Sequence, residues 1–260
     1  PRLYADERIH PYDHPTDQPF LWTRGLQVGG RSLTWGGITL RLSDEDLAGV
    51  NVDGEQVGWP LRSRDLMPHY AELERWLGVH GGRDGLDHLP DGDTQPALAA
   101  TPAEQRFAEV VRHRLGYPVI QSRGFGPWLQ EKNAPWPRSS SRGSSLPRAM
   151  ATGRTQLLSE HLVERLLVDA GGDKATGVVA VDQTNGNRKE LKADLVVLAA
   201  STIQTVSILL RSRRGEQSNG FDDPSGRLGT RLMDHVSTSQ FFAFPEQVHA
   251  AQPPLTGAGS

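Results

Sequence analysis

Val28-Gly29-Gly30-Arg31-Ser32-Leu33-Thr34-Trp35-Gly36-Gly37 is the stretch on which the reading of this chain turns. Four glycines, a Ser, a Thr and a Trp fall within ten residues. Glycine loses more backbone freedom on folding than any other residue, so two Gly-Gly pairs in one loop call for positive φ or for a ligand lying against bare backbone. Amides left open in such a turn can form a nest for an anion, and the Trp offers a flat apolar face. A tight surface turn beside a core Trp accounts for the same spacing, because a glycine-rich loop alone is a weak signal.

Around that loop the chain is ordinary in composition. Its 260 residues suit one large domain or two small ones. A net charge of −3, with the arginines scattered, gives no reason to expect nucleic acid or an anionic membrane as partner. There is no Cys, which excludes disulfides and thiolate metal sites. No apolar run approaches the roughly 18 residues of a membrane span. Pro1 opens the chain and no charged-then-apolar leader follows, so a cytoplasmic location is expected, with a targeting segment ahead of Pro1 left open.

Pro11, Pro15 and Pro19 keep the first twenty residues from forming a helix, and His10, Asp13 and His14 read as a solvated loop rather than a ligand set. Phe20-Leu21-Trp22 is expected to pack beneath the glycine loop. Ser43 with Asp46 three residues on is a capping box that starts a helix. Ser63 to Leu77 is the clearest helix, with Leu66, Tyr70, Leu73 and Leu77 in one stripe, His69 off it, and Gly78 as the stop. Pro60 restricts Trp59 to extended backbone, and the Trp59 ring is expected to be buried against that helix. Thr101-Pro102 caps a further helix that runs to about Leu115. Residues 116–145 carry Trp128, Trp136 and the serines Ser139-Ser140-Ser141 and Ser144-Ser145, and read as a mobile segment.

From Thr155 the pattern changes. Leu157-Leu158, Val163 to Val168 and Ala175 to Val181 are short strand-like runs, and Asn185-Gly186 is a strong hairpin signal. Leu195-Val196-Val197-Leu198-Ala199-Ala200 is a continuous apolar run of the kind that suits a buried parallel strand. It turns at Ser201-Thr202 into a helix carrying Ile203, Val206, Leu209 and Leu210. Strand, small-residue turn and helix can set a helix N-terminus against a phosphate, or simply join two elements. The adjacent Asp234-His235 is an acid–base couple by type, but is read as structural.

Several of these stretches, in order, resemble the glucose–methanol–choline (GMC) oxidoreductases, in their pyranose-oxidase and sugar-dehydrogenase-like branch. The glycine loop resembles that family's flavin-contact loop. Gly58-Trp59-Pro60-Leu61, Asp65-Leu66-Met67-Pro68-His69-Tyr70, Glu74 and Leu77-Gly78-Val79 are similar to the segment that follows it. Leu146-Pro147-Arg148-Ala149-Met150-Ala151-Thr152-Gly153, Ala175-Thr176-Gly177-Val178, Val196 to Ser201 and Leu232-Met233-Asp234-His235 match in the family's order. Residues 81–145 match poorly.

The resemblance implies an α/β fold: the central part of an FAD-binding doubly wound (Rossmann-like) domain with part of an α+β substrate domain. It divides the chain into FAD-domain segments at 1–80 and 146–236, a substrate-side insertion at 81–145, and the start of a substrate domain at 237–260. It implies an FAD cofactor contacted by Gly29, Gly30, Ser32, Thr34, Trp35, Gly36, Gly37, Val163, Ala200 and Ser201. It implies hydride transfer from the CH–OH group of a sugar, glycoside or other alcohol. The family's opening Gly-x-Gly-x-x-Gly turn has no counterpart here, since Gly124-Phe125-Gly126 runs into Pro127. Its C-terminal catalytic histidine has none either, so no catalytic residue is assigned. The expectation is the middle portion of such an enzyme, needing flanking segments or a partner chain and prone to associate through unpaired sheet edges. A non-catalytic module that binds a partner without flavin is the alternative. Some sugar oxidases of the family bond flavin covalently to a histidine just before the Trp; that position is Thr34, so the flavin is expected to be held non-covalently.

Overall fold

A computed structural model describes residues 3–49, 58–125, 135–216, 220–230 and 232. Gly126, Pro127, Trp128, Met233, Asp234, His235 and the stretch from 237 to 260 lie outside the described residues. The chain divides after Thr155 into two compact units.

The first unit is built on short helices whose ends follow the local chemistry. A 3₁₀ turn spans Gly30–Leu33, followed by α1 (Asp44–Ala48) and α2 (Ser63–Leu77). α3 (Pro102–Leu115) and α4 (Ser145–Ala151) complete the set, and β1 (Val79–His80) pairs antiparallel with β2 (Gly124–Phe125). Ser43 and Asp46 form the expected capping box, as do Thr101 and Glu104, and each satisfies amides that a helix start leaves open. α2 ends at Gly78 in the left-handed conformation, φ 70°.

Burial departs from the apolar stripe. On α2, Leu73 is half exposed and the buried residue is Glu74, whose carboxylate takes Arg41 Nε at 2.8 Å and Nη2 at 2.6 Å and accepts the Asp93 amide at 2.7 Å. Gly92 leaves the room this needs, for a Cβ there would stand 2.7 Å from the Glu74 carboxylate. Arg123, also buried, reaches Asp84 at 3.2 Å and Asp91 at 3.1 Å and so gathers the loop between them. The apolar core beside these pairs is small: Leu47, Val79, Leu89 and Phe125.

Two aromatic expectations are corrected. Trp59 is 69% exposed rather than buried on α2. Its backbone is fixed, with its amide donating to Leu47 O at 2.8 Å, but the ring has no ring or cation partner among the described residues. Phe20 and Leu21 are exposed, and Trp22 meets Tyr12 edge-on at 5.6 Å with the Arg24 guanidinium 4.2 Å above it. The electron-rich indole face attracts that cation.

The second unit is an antiparallel meander, β3 (His161–Val168), β4 (Ala175–Asp182) and β5 (Arg188–Lys192), with α5 (Thr202–Arg211) packed on β3. The Asn185-Gly186 hairpin forms where expected, with Val181 opposite Arg188 and Gly186 at φ 76°. Leu157-Leu158 is not a strand. Leu166, Leu167, Val179, Ala180 and Ile208 make the core, and the buried Ser212 hydroxyl joins helix to sheet, bonding Leu166 N at 2.8 Å and Ile208 O at 2.6 Å.

The mixture of helices and sheets agrees with an α/β chain. The parallel strand at Leu195–Ala200 is not seen: the segment has no strand pairing among the described residues, and Leu195 and Val197 are 79% and 77% exposed. A strand exists only by hydrogen-bonding to a neighbour, and among the described residues none lies alongside it.

Candidate functional site

The glycine loop takes the positive-φ backbone its composition requires. Gly29, Gly30 and Gly37 sit at φ 101°, 50° and 72°. Gly30 N bonds Gln27 O at 2.8 Å, and the Gln27 side chain returns to Gly30 O at 3.0 Å. The Ser32 hydroxyl donates to Gly29 O at 2.5 Å, and Thr34 N closes the turn on Arg31 O at 2.9 Å. The Thr34 hydroxyl lies a long 3.4 Å from the same carbonyl, which leaves it free to serve another partner.

Trp35 stands at the end of this turn, 41% exposed. Its indole N–H donates to Ser139 O at 2.9 Å, and its ring meets Phe125 edge-on at 6.0 Å. These contacts fix the plane of the ring while leaving much of it open.

Gly36 differs from the other glycines. Its φ is not positive, and a Cβ built there meets no atom within 4 Å. Neither backbone conformation nor packing within the chain asks for glycine at this position. Among the described residues, the Gly36 and Gly37 amides also have no hydrogen-bond partner. Gly37 is buried and Gly36 exposed, and the open backbone of Gly36 beside a fixed, half-exposed indole fits a flat ring system such as that of FAD lying close against the chain.

Sequence reading missed the other half of the site. Ser139, Ser141 and Arg142 touch the glycine loop: Ser141 N donates to Ser32 Oγ at 3.0 Å, and Arg142 Cγ lies 3.0 Å from the position a Gly29 Cβ would take. The signal was the serine run. It reads as a mobile polar segment, yet it folds into tight turns in which Ser140 is fully buried. Small hydroxyl side chains close turns on their own backbone as readily as they solvate a loop.

The remaining candidates lie in the second unit. Val163 is on β3 opposite Ala180, while Ala200 and Ser201 precede α5, with Ser201 at φ 68°. Arg211 at the far end of α5 bonds Glu164 O at 2.7 Å. The structure brings the loop residues together, and Val163, Ala200 and Ser201 belong to the second unit. His10, Asp13 and His14 join no group of three or more metal-ligating side chains among the described residues.

The GMC oxidoreductase family profile matches residues 14–237, and the chain belongs to that family. It is 28% identical over 256 residues to the 6'''-hydroxyparomomycin C oxidase of Streptomyces lividus, covering 85% of this chain and 44% of that protein. It is 29% identical over 243 residues to the paromamine 6'-oxidase of Streptomyces fradiae, covering 85% and 43%. The 2-methyl-1,2-propanediol dehydrogenase of Mycolicibacterium austroafricanum is 25% identical over 260 residues, covering 87% and 44%. The chain spans less than half the length of these curated relatives.

Proposed function

We propose that this chain is the flavin-facing portion of an FAD-dependent oxidoreductase acting on the CH–OH group of a sugar, glycoside or other alcohol. The observation that carries the reading is Gly36, a glycine in open space with a free amide, next to the fixed ring of Trp35. FAD, when bound, supplies the hydride acceptor. The chain's own residues bind and orient: the exposed Gly36 amide offers a donor, Thr34 offers its hydroxyl, and Trp35 walls the site. Thr34 has no nucleophilic ring nitrogen and the chain has no Cys, so the flavin is held by hydrogen bonds and stacking alone.

In this reading residues 1–80 and 146–236 belong to the flavin domain, 81–145 to the substrate side, and 237–260 to the start of the substrate domain. Leu195–Ala200 becomes a strand of a doubly wound sheet once neighbours pair with it, and Ala200 and Ser201 then present the N-terminus of α5 to the cofactor. The chain assigns no proton-abstracting residue of its own, and the alcohol proton is left to a group contributed from elsewhere in the enzyme.

The names of the relatives supply the test panel: paromamine-type aminoglycosides, C-glycosides and 2-methyl-1,2-propanediol. Mixed without oxygen with the FAD-loaded protein, at least one of these alcohols is expected to bleach the flavin absorbance. A protein that takes up no FAD, alone or with any partner, fits instead the flavin-free accessory module.

A further inference from the structure

The glycine loop does not hold its shape alone; a turn more than a hundred residues away grips it at two points. Ser141 N donates to Ser32 Oγ at 3.0 Å, and Ser139 O accepts from Trp35 Nε1 at 2.9 Å. A serine hydroxyl has one proton. With the Ser141 amide filling a lone pair of Ser32 Oγ, that proton goes to Gly29 O, 2.5 Å away. The result is a relay from Ser141 N through Ser32 Oγ to the carbonyl of Gly29, the residue held at φ 101°. The second grip sets the plane of Trp35.

Ser140 lies between the two gripping residues and touches neither Ser32 nor Trp35. It is 0% exposed. Its hydroxyl donates to Pro137 O at 2.7 Å and accepts from Gly143 N at 3.1 Å, and its carbonyl accepts from Ser144 Oγ at 2.6 Å. The turn is closed so tightly that a Cβ on Gly143 would stand 2.1 Å from Pro137 O. A buried hydroxyl is costly unless bonded, and here both of its bonds are spent on closing the turn. Arg142, whose stem abuts Gly29, is kept in place by stacking its guanidinium 4.0 Å from the Trp136 ring centre.

We propose that Ser140 is a positioning residue for the flavin loop, acting through Ser139 and Ser141 on Trp35 and Ser32. The proposal rests on the flavin reading above for its consequence, but not for its geometry. Removing the Ser140 hydroxyl leaves the turn held only by its backbone bonds, Ser140 N to Pro137 O at 3.0 Å and Gly143 N to Ser140 O at 3.1 Å, and both grips loosen together.

The test is a set of four variants, Ser140→Ala, Ser32→Ala, their double, and Ser32→Thr, read in two ways. Hydrogen–deuterium exchange of residues 29–36 in flavin-free protein reads the grip itself, and FAD titration reads its consequence. Ser140→Ala is expected to speed exchange across 29–36 and to weaken FAD binding about fivefold, the worth of roughly one hydrogen bond. Ser32→Ala does the same. The double variant loses less than the product of the two single fold-losses, because the Ser141–Ser32 grip is common to both, and Ser32→Thr restores wild-type behaviour. Unchanged exchange in 29–36, or fold-losses that multiply in the double variant, overturns the proposal. Should Ser140→Ala not fold, Ser32→Ala still decides: it must speed exchange across 139–144 in return, and unchanged exchange there refutes the coupling. A wild-type protein that takes no FAD refutes the flavin reading, while the exchange measurements decide the grip on their own.

Discussion

Gly29 and Gly36 are glycines for different reasons, and substitution separates them. At Gly29 a Cβ would meet φ 101° and stand 2.9 Å from Leu33 Cδ1. Gly29→Ala is expected to destabilise the protein by about 1–3 kcal/mol, the cost of a non-glycine residue in that conformation. At Gly36 there is neither strain nor contact, so Gly36→Ala should change the unfolding midpoint by no more than about 0.5 kcal/mol. It should nonetheless weaken FAD binding at least tenfold, because the methyl enters the space assigned to the ring. Urea unfolding and flavin titration of both variants check the pair, and an unaltered FAD affinity in Gly36→Ala contradicts the assignment. Single carboxylates also carry a pH signature. The amides of Lys174, Asp173 and Gly172 bond the Asp169 carboxylate and hold it below the usual aspartate range. A depressed folded-state pKa adds stability above the unfolded value, about 3.9, and that stability is lost as pH falls through the lower folded value. Asp169→Asn should therefore lower stability at pH 7 and have little effect near pH 2. An equal loss at both pH values, measured by thermal unfolding, contradicts this account.

At the scale of elements, helix ends were legible and helix faces were not. The caps at Ser43, Thr101 and Gly78 were readable because capping is chemistry between residues within four positions of each other. The face α2 buries was misread because its decisive contact, Glu74 with Arg41, spans 33 positions and joins two charges that local pattern assigns to solvent. The Trp59 ring and the serine turn were misread for other reasons: the ring is exposed and meets no ring or cation among the described residues, and small hydroxyls that suit a solvated loop also close local turns. Within the site, the glycines and Trp35 were found from composition, whereas Ser139 to Arg142, which hold them, were not. The Arg41–Glu74 pair itself is testable. Glu74→Gln leaves a buried guanidinium without its counter-charge and should cost about 3–5 kcal/mol. The double variant Arg41→Met with Glu74→Gln should cost less than the two single losses added together. Additive losses in denaturant unfolding contradict a coupled buried pair.

At the scale of the whole molecule, no helix among the described residues is long and apolar enough to cross a membrane. The feature that asks for something more is Leu195–Ala200, apolar, unpaired among the described residues, and exposed at Leu195 and Val197. Exposed apolar stretches are association sites, and a continuous apolar run suits a strand buried on both faces. The doubly wound fold expected from family resemblance is not formed by the described residues alone, and on the reading proposed above this stretch pairs only with strands outside them. The central claim is that the glycine loop holds FAD without a covalent bond. The most direct measurement is the visible absorption spectrum of the full-length or reconstituted protein mixed with FAD and freed of excess cofactor, before and after acid precipitation. The account predicts a yellow protein whose colour passes entirely into the supernatant. Colour retained in the pellet, or a protein colourless before the acid is added, would contradict it.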